Sequence, residues 1–406
     1  MSIPFFSIDF KLQDWRNYFF GSMGINYQGL FLNEISKRFN NNNIYTFPSS
    51  RISFFLLIKS LFKPNDEIIF SAMSFPLYIK ICCELNLVPV LVDIETDHMT
   101  INPELIKKNI TKKTKAIVVT NLFGHPAYLD EISKIAKEYN LLLIEDCAQS
   151  IDSFYNKKET GSFGDVALYS TGAVKTPTTL GGGILICKNK KVSNNIKDIK
   201  STIKFNKNFS NIFPYYIKNL ISILNSYPSI YSLLSHKAIG VLKKNNPELM
   251  RKIFYSGIGD NKSYNPLERP NQINYQFSVG VGQFDKIRDM TLIRRKNSLL
   301  LNDIFLSNKK INFLKEGINS FWNCQYYILY SKNNADYLYD EMFKKGTHLL
   351  YENVWDCTNY NLKIKSYTPL VNVKKICKHL IRIPNNSMLN DKQIIKIGSE
   401  INNLLK

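Results

Sequence analysis

The feature that most constrains this chain is a regular alternation of helical and strand patterns between residues 50 and 190. "RISFFLLIKSLF" (51–62) places apolar residues at helical spacing and stops at "KPND", after which "EIIFSAM" (67–73) reads as a buried strand. The pattern continues through a helix around 76–86, strand "VPVLVDI" (88–94), a helix over 102–110, strand "KAIVVTNLF" (115–123), a helix over 127–139 and strand "LLLIEDCA" (141–148). Strands separated by helices in this way imply right-handed crossovers, so the expected class is α/β, with a mostly parallel mixed sheet sandwiched by helices. Strands "DVALYST" (165–171) and "GGILIC" (182–187) follow with short connections and are expected in the same sheet. Three parts result: an N-terminal segment (1–44), a large domain (45–290) and a smaller α+β domain (291–406). The last is expected to hold strand 321–331 and helices 334–346 and 391–405.

Residues 203–245 break the rhythm. This apolar, aromatic and lysine-bearing insertion is interrupted by Pro214 and Pro228. Three readings stay open for it: a pair of buried helices, a partner or subunit contact, and peripheral contact with a membrane interface. Charge sharpens the question. With 53 Lys+Arg against 33 Asp+Glu the formal net charge is +20, which attracts anionic partners of any kind. No helix-turn-helix, zinc-finger or RNP-like pattern accompanies it, so no nucleic-acid partner is expected. The seven cysteines form no CxxC pair, which disfavours a disulfide framework or zinc site and suits reduced thiols in the cytoplasm. Nothing at the N-terminus reads as a signal peptide, and no apolar run is long enough to span a bilayer.

In open α/β sheets ligands bind beyond the C-terminal ends of the parallel strands, so polar residues there are the first candidates. Asp146 ends a strand otherwise made of Leu and Ile, a costly place for a carboxylate without a cationic partner such as a protonated heterocyclic nitrogen. Gln149 lies three residues further on. In "YSTGAVKTPTTLGGG", Ser170 stands at a strand end, Lys175 in the turn after it, and Gly181 to Gly183 permit close backbone approach. A desolvated lysine is a nucleophilic amine able to condense with an aldehyde, as pyridoxal phosphate chemistry requires. Taken singly, the lysine also reads as a solvated surface residue and the aspartate as a helix cap.

At this point the sequence resembles the DegT/DnrJ/EryC1/StrS family of pyridoxal-phosphate-dependent sugar aminotransferases, over about residues 45–290. "KPNDEIIFSAMSF", "VPVLVDIETDHMTINPELIKKNITKKTKAIVVTNLFGHPAYLDEI", "LLLIEDCAQS", "KETGSFGDVALYS" and "KTPTTLGGG" follow its motifs in order and spacing. The resemblance implies a fold-type-I architecture, pyridoxal 5'-phosphate as cofactor, and Lys175 as its covalent attachment point and catalytic base. Asp146 would hold the pyridine nitrogen protonated, Gln149 would contact the phenolic oxygen and Phe75 would stack on the ring. Ser49, Ser50 and Arg51 at a helix start, with Ser170, would hold the phosphate. Asn274 would reach a neighbouring subunit's phosphate site, implying a homodimer with composite active sites. Two departures stand out. Ser49-Ser50-Arg51 replaces the family's "GT", and Gln276 replaces an Arg two residues after Asn274. Lys175 itself argues against the dehydratase branch, which has His there.

The implied reaction moves an amino group, by family expectation from glutamate, to a keto group of a nucleotide-linked deoxysugar in cell-surface polysaccharide or secondary-metabolite synthesis. The alternatives are an enzyme of the same fold acting on a non-sugar carbonyl, and a basic membrane-surface binding protein. His125 and His348 are expected in structural or surface roles.

Overall fold

The computed structural model describes residues 2–21, 24–203, 209–246, 271–331, 335–351 and 355–405. Two helices, α1 (Leu12–Phe20) and α2 (Tyr27–Phe39), lead into β1 (Ile44–Phe47). The alternation then runs α3 (Ser50–Leu61), β2 (Glu67–Ser71), α4 (Pro76–Glu84), β3 (Val88–Val92), α5 (Pro103–Lys108), β4 (Thr114–Thr120), α6 (Leu129–Glu138) and β5 (Leu142–Asp146). Short strands β6 (Phe154–Tyr155) and β7 (Lys158–Glu159) precede β8 (Val166–Ser170) and β9 (Gly183–Cys187).

Seven strands form one sheet in the order β1-β9-β8-β5-β4-β2-β3. From β3 to β8 the neighbours are parallel, while β9 and β1 run antiparallel at one edge. Side chains alternate across a strand, and here both faces are apolar. Ile68, Phe70, Ala116, Val118, Ile144 and Leu168 face one core, while Ile69, Ile117, Val119 and Leu143 face the other. Each such side chain, fully buried, contributes about 1.5–3 kcal/mol of transfer free energy. The strand ends fall two to three residues short of the longer apolar runs because the last residues of those runs turn into ligand-facing loops. Thus "KAIVVTNLF" leaves the sheet at Thr120 and enters a single 3₁₀ turn, Leu122–Gly124.

After α7 (Lys190–Thr202) comes the insertion: α8 (Phe209–Leu224), the short α9 (Pro228–Ile230), a π turn Tyr231–Ser235 and α10 (His236–Asn245). It is not a buried pair. The inner face of α8, with Tyr216, Leu220 and Ile223, packs on Ile8, Phe10, Tyr18, Tyr275 and Val279. Its outer face leaves Phe213 48% and Ile221 53% exposed. Next come α11 (Asn274–Phe284) and α12 (Ile287–Phe305), followed by a four-stranded antiparallel sheet ordered β10 (Asn312–Phe313), β12 (Tyr327–Tyr330), β14 (Leu380–Ile383), β13 (Leu350–Tyr351). Helices α12, α13 (Ala335–Lys344) and α15 (Asp391–Leu404) cover it. A shorter α14 (Asn372–Ile376) abuts the large core instead, through Val373 and Ile376.

The expected single strand over 321–331 is broken. β11 (Ser320–Phe321) pairs with β6, and only from Tyr327 does the chain join the small sheet. Between them the Asn323 amide donates to the carbonyls of Gln149 and Ile151, and Cys324 takes a positive φ of 49°. Side-chain hydrogen bonds to the loop after β5 thus override the local β propensity. Among the described residues no helix is long and apolar enough to cross a membrane.

Candidate active site

At the C-terminal ends of β2, β4, β5 and β8 the strand-to-helix connections open a cavity of about 600 Å³. Ser49, Ser50, Arg51, Phe75, Asp146, Gln149, Ser170 and Lys175 all line it. Asn274 does not. It sits at the start of α11, where its amide donates to Gly21 O (3.0 Å) and Ile25 O (2.7 Å) and its oxygen accepts from Tyr27 N (3.1 Å). That side chain ties the first helices together in this chain.

Asp146 is the most constrained charge. It is 3% exposed, and burial pushes its carboxyl up to about 6, against one backbone hydrogen bond from Ala148 N (3.1 Å), the Lys175 charge and the Thr120 hydroxyl, which pull it down. Its neighbour on the strand behaves differently. Glu145 points to the opposite side, where its carboxylate accepts from the amides of Gly161 (2.7 Å), Phe163 (2.7 Å) and Gly164 (2.6 Å). The "ETGSFGD" stretch is therefore a structural loop wrapped on a buried carboxylate, which burial still pushes up.

Gln149 spends its amide oxygen on Phe123 N (2.7 Å), a residue held at a positive φ of 60°. What it can offer a ligand is therefore its N–H donors. Lys175 is half-buried in the turn after β8, its backbone N–H bonded to Gly172 O (2.9 Å) and its Nζ 5.8 Å from the centre of the Tyr326 ring. Phe75 caps α4, edge-on to Tyr78 and tilted against Trp355.

The anion-facing wall is built by close backbone approach. The Ser49 hydroxyl caps α3 by accepting from Ile52 N (3.3 Å), and the remaining amides of a helix's first turn have no partner within the helix. β9 begins against this turn. A Cβ on Gly183 would stand 2.3 Å from Ser50 N, and Gly182, at φ +159°, has Gln272 Nε2 2.1 Å from where its Cβ would be. Any other residue would displace α3's first turn or the Gln272 bridge to Thr179 and Gly181.

Gln276, at the place of the family's Arg, lines the cavity with both ends of its amide engaged. The oxygen accepts from Ile273 N (3.1 Å) and the nitrogen donates to Gly181 O (3.1 Å). It closes the glycine loop and brings no charge. Sequence reasoning missed the walls that come from distant segments: Phe6, Tyr326, Trp355 and Arg382, and the α8 face of Ile212, Tyr215, Lys218, Asn219 and Ser222. Arg382 lies 3.9 Å over the Tyr326 ring and is 7% exposed, but no local motif marks it within "HLIRIP". The apolar period of α8 carried a signal of packing, not of what it packs over.

His125 and His348 are both buried away from the cavity. His125 stacks on His98 at 5.0 Å, and burial, with that second imidazole, pulls it down to about 4. His348 meets the Tyr231 hydroxyl at 3.1 Å and is pulled down to about 3, chiefly by burial. Among the described residues no cluster of three metal-ligating side chains occurs.

A carboxylate, an amine, hydroxyls, a helix N-terminus and an aromatic in one cavity make a donor set for a ligand that carries both an anionic and a cationic group. Residues 52–213 match the model of a known family. The family is that of the DegT/DnrJ/EryC1/StrS aminotransferases. The chain is 32% identical over 194 residues (48% of this chain, 49% of the other) to the uncharacterized protein MJ1066 of Methanocaldococcus jannaschii. To GDP-perosamine synthase of Escherichia coli O157:H7 it is 29% identical over 189 residues (45% and 52%). It thus spans about half the length of these relatives. The fold extends further: the aminotransferase TlmJ of Streptoalloteichus hindustanus superposes with a TM-score of 0.77 at 14% identity, covering 100% of this chain and 99% of that one.

Proposed function

We propose that the cavity binds pyridoxal 5'-phosphate and that the protein is an aminotransferase moving an amino group from an amino-acid donor, glutamate, to the keto group of a nucleotide-linked deoxysugar. The observation that carries this reading is the buried Asp146 carboxylate and the Lys175 amine in one cavity with the N-terminus of α3. Bound there, the cofactor supplies an electrophilic aldehyde and an electron-withdrawing ring.

The chain's own residues divide the work. The first-turn amides of α3, with the Ser50 and Ser170 hydroxyls and the Arg51 cation, bind the phosphate. Asp146 offers a negative charge whose burial cost a cationic nitrogen offsets, and so keeps a proton on that nitrogen. Gln149 donates from its amide N–H, and Phe75 presses on one ring face. The Lys175 amine would be the base in the cavity, its Nζ taking the proton from the donor's α carbon in the first half of the exchange and delivering one to the former keto carbon of the acceptor in the second. Tyr326, Trp355 and Phe6 add aromatic surface to the cavity wall, which would help to exclude water from the reacting groups. The donor leaves as its 2-oxo acid and the acceptor as its amino sugar, so the exchange is balanced without an oxidant.

The similarity to GDP-perosamine synthase supports a nucleotide-sugar acceptor, as does a cationic surface for a diphosphate. The domain division at about residues 45, 290 and 406 is part of the same reading. A homodimer is supported by exposed Phe19, Phe20, Ile25 and Leu30 around the segment that Asn274 holds. A cytoplasmic location is supported by cysteines that form no disulfide among the described residues. The test is glutamate-dependent amination over a panel of nucleotide-linked keto-deoxysugars and simple ketones. Formation of 2-oxoglutarate with a nucleotide sugar is expected. Turnover with simple ketones alone would replace the acceptor class, and no turnover with any acceptor would refute the reading.

A further inference from the structure

The insertion carries two faces with different surroundings. Ile212, Tyr215, Lys218, Asn219 and Ser222 turn toward the active-site cavity. Around the helix from them, at i, i+4, i+8 and i+11, Phe213, Ile217, Ile221 and Leu224 form an apolar stripe that is 48%, 37%, 53% and 36% exposed. An open groove along this stripe shares Lys218 and Ser222 with the cavity, so the apolar surface begins at the cavity's mouth. Beyond α8, Leu233 (68%), Leu234 (62%) and Val241 (60%) add further exposed apolar groups. Contiguous exposed apolar surface of this kind marks an interaction site.

Charge decides what covers it. Between Asp198 and Glu248 the sequence has no carboxylate, and of its described residues Lys218, Lys237 and Lys244 supply cations to the insertion, while Lys243 is held by Asp340. A second copy covering this face with the same segment would bring lysine to lysine with no carboxylate of the segment to pair them. A nucleic acid would leave the apolar stripe in water. An anionic lipid surface takes both the aliphatic side chains and the lysines that flank them.

We infer that α8 and the turns after it dock the protein peripherally on an anionic membrane, with the mouth of the active-site cavity at the lipid surface. The inference stands independently of the aminotransferase reading, since it rests on the outer face of the insertion. No helix inserts across the bilayer; binding combines shallow burial of Phe213, Ile217, Ile221 and Leu224 with attraction of Lys218, Lys237 and Lys244 to the headgroups, and so weakens with salt.

Cosedimentation of the full-length protein with extruded vesicles tests this. Phosphatidylcholine containing phosphatidylglycerol should bind the protein at low salt, pure phosphatidylcholine should bind it poorly, and high salt should release it. The double substitution Ile217→Asp/Ile221→Asp should lower partitioning at least about tenfold. Oligomeric mass and cofactor absorbance should stay as in the parent protein, because both side chains lie outside the cavity and the packed face. Leu233→Ser/Leu234→Ser, at the most exposed positions, should lower it as well and guards against a folding defect on α8. Absence of binding to the anionic vesicles, or unchanged binding by both variants, overturns the inference. So does a fall in oligomeric mass on substituting the stripe, which would mean that a second copy covers it.

Discussion

Replacing Asp146 by Asn perturbs the site at its least comfortable charge. The carboxyl is pushed from its ordinary 3.8 up to about 6, with burial as the main cause. A shift of about two units corresponds to about 3 kcal/mol of differential stabilisation of the neutral form. Because the folded pKa is the raised one, the favourable contribution is complete below about pH 4 and is lost as pH rises through about 6. At pH 7.5 the cofactor-free protein therefore carries a penalty of about 3 kcal/mol from this one group, and at pH 5 about half of that. Asn keeps an acceptor for Ala148 N and removes the charge. Urea denaturation of the cofactor-free proteins should find the variant more stable by up to about 3 kcal/mol at pH 7.5, with the gap narrowing to about half at pH 5. Taking the difference between the two proteins cancels the other titrating groups. A variant no more stable than the parent at pH 7.5, or a gap that does not change with pH, would refute the argument. Transamination by the same variant should fall by on the order of 100-fold or more, since a stabilised charge is lost where the reaction needs it.

Three other perturbations follow from the geometry. Lys175→Ala should abolish covalent retention of pyridoxal phosphate and lower turnover by at least about 100-fold, read by dialysis against buffer and by a 2-oxoglutarate assay. Gly183→Ala forces a methyl to within 2.3 Å of Ser50 N, so it should cost about 1–3 kcal/mol in denaturation and weaken phosphate-dependent cofactor binding measured by titration. His125 is neutral in the fold, with a pKa lowered from 6.5 to about 4, so its contribution is present above pH 6.5 and lost as pH falls toward 4. His125→Gln should therefore flatten the acid limb of the stability profile by about 2–3 kcal/mol, relative to the parent.

Much of the fold was legible because its signals are local. The strands Ile68 to Phe70 and Ile117 to Val119 are apolar on both faces, and only a buried parallel sheet uses such runs. Asp146, Gln149, Ser170 and Lys175 were readable for the same reason: each is a polar residue at the end of a strand of that type or in the connection that follows it. Residues whose place depends on distant parts of the chain were not. Arg382 and Tyr326 reach the cavity from the small sheet, and neither has a neighbour in sequence that hints at a ligand. The stretch from Phe321 to Tyr327 has strand composition yet breaks, because Asn323 finds the carbonyls of Gln149 and Ile151. Asn274, expected at a neighbouring subunit's phosphate site, uses its amide within its own chain on Gly21 and Ile25. The +20 charge, ambiguous as a total, gained meaning once the carboxylate-free insertion was seen to flank the cavity mouth.

The central claim is that Lys175 holds a pyridoxal phosphate whose ring nitrogen lies against Asp146. Loading the purified protein with the cofactor, reducing with borohydride and mapping the tryptic peptides by mass tests it most directly. The account predicts visible absorption before reduction and a single phosphopyridoxyl mass on the peptide containing Lys175. A protein that takes up no cofactor, or a label on another lysine with Lys175 unmodified, would contradict it.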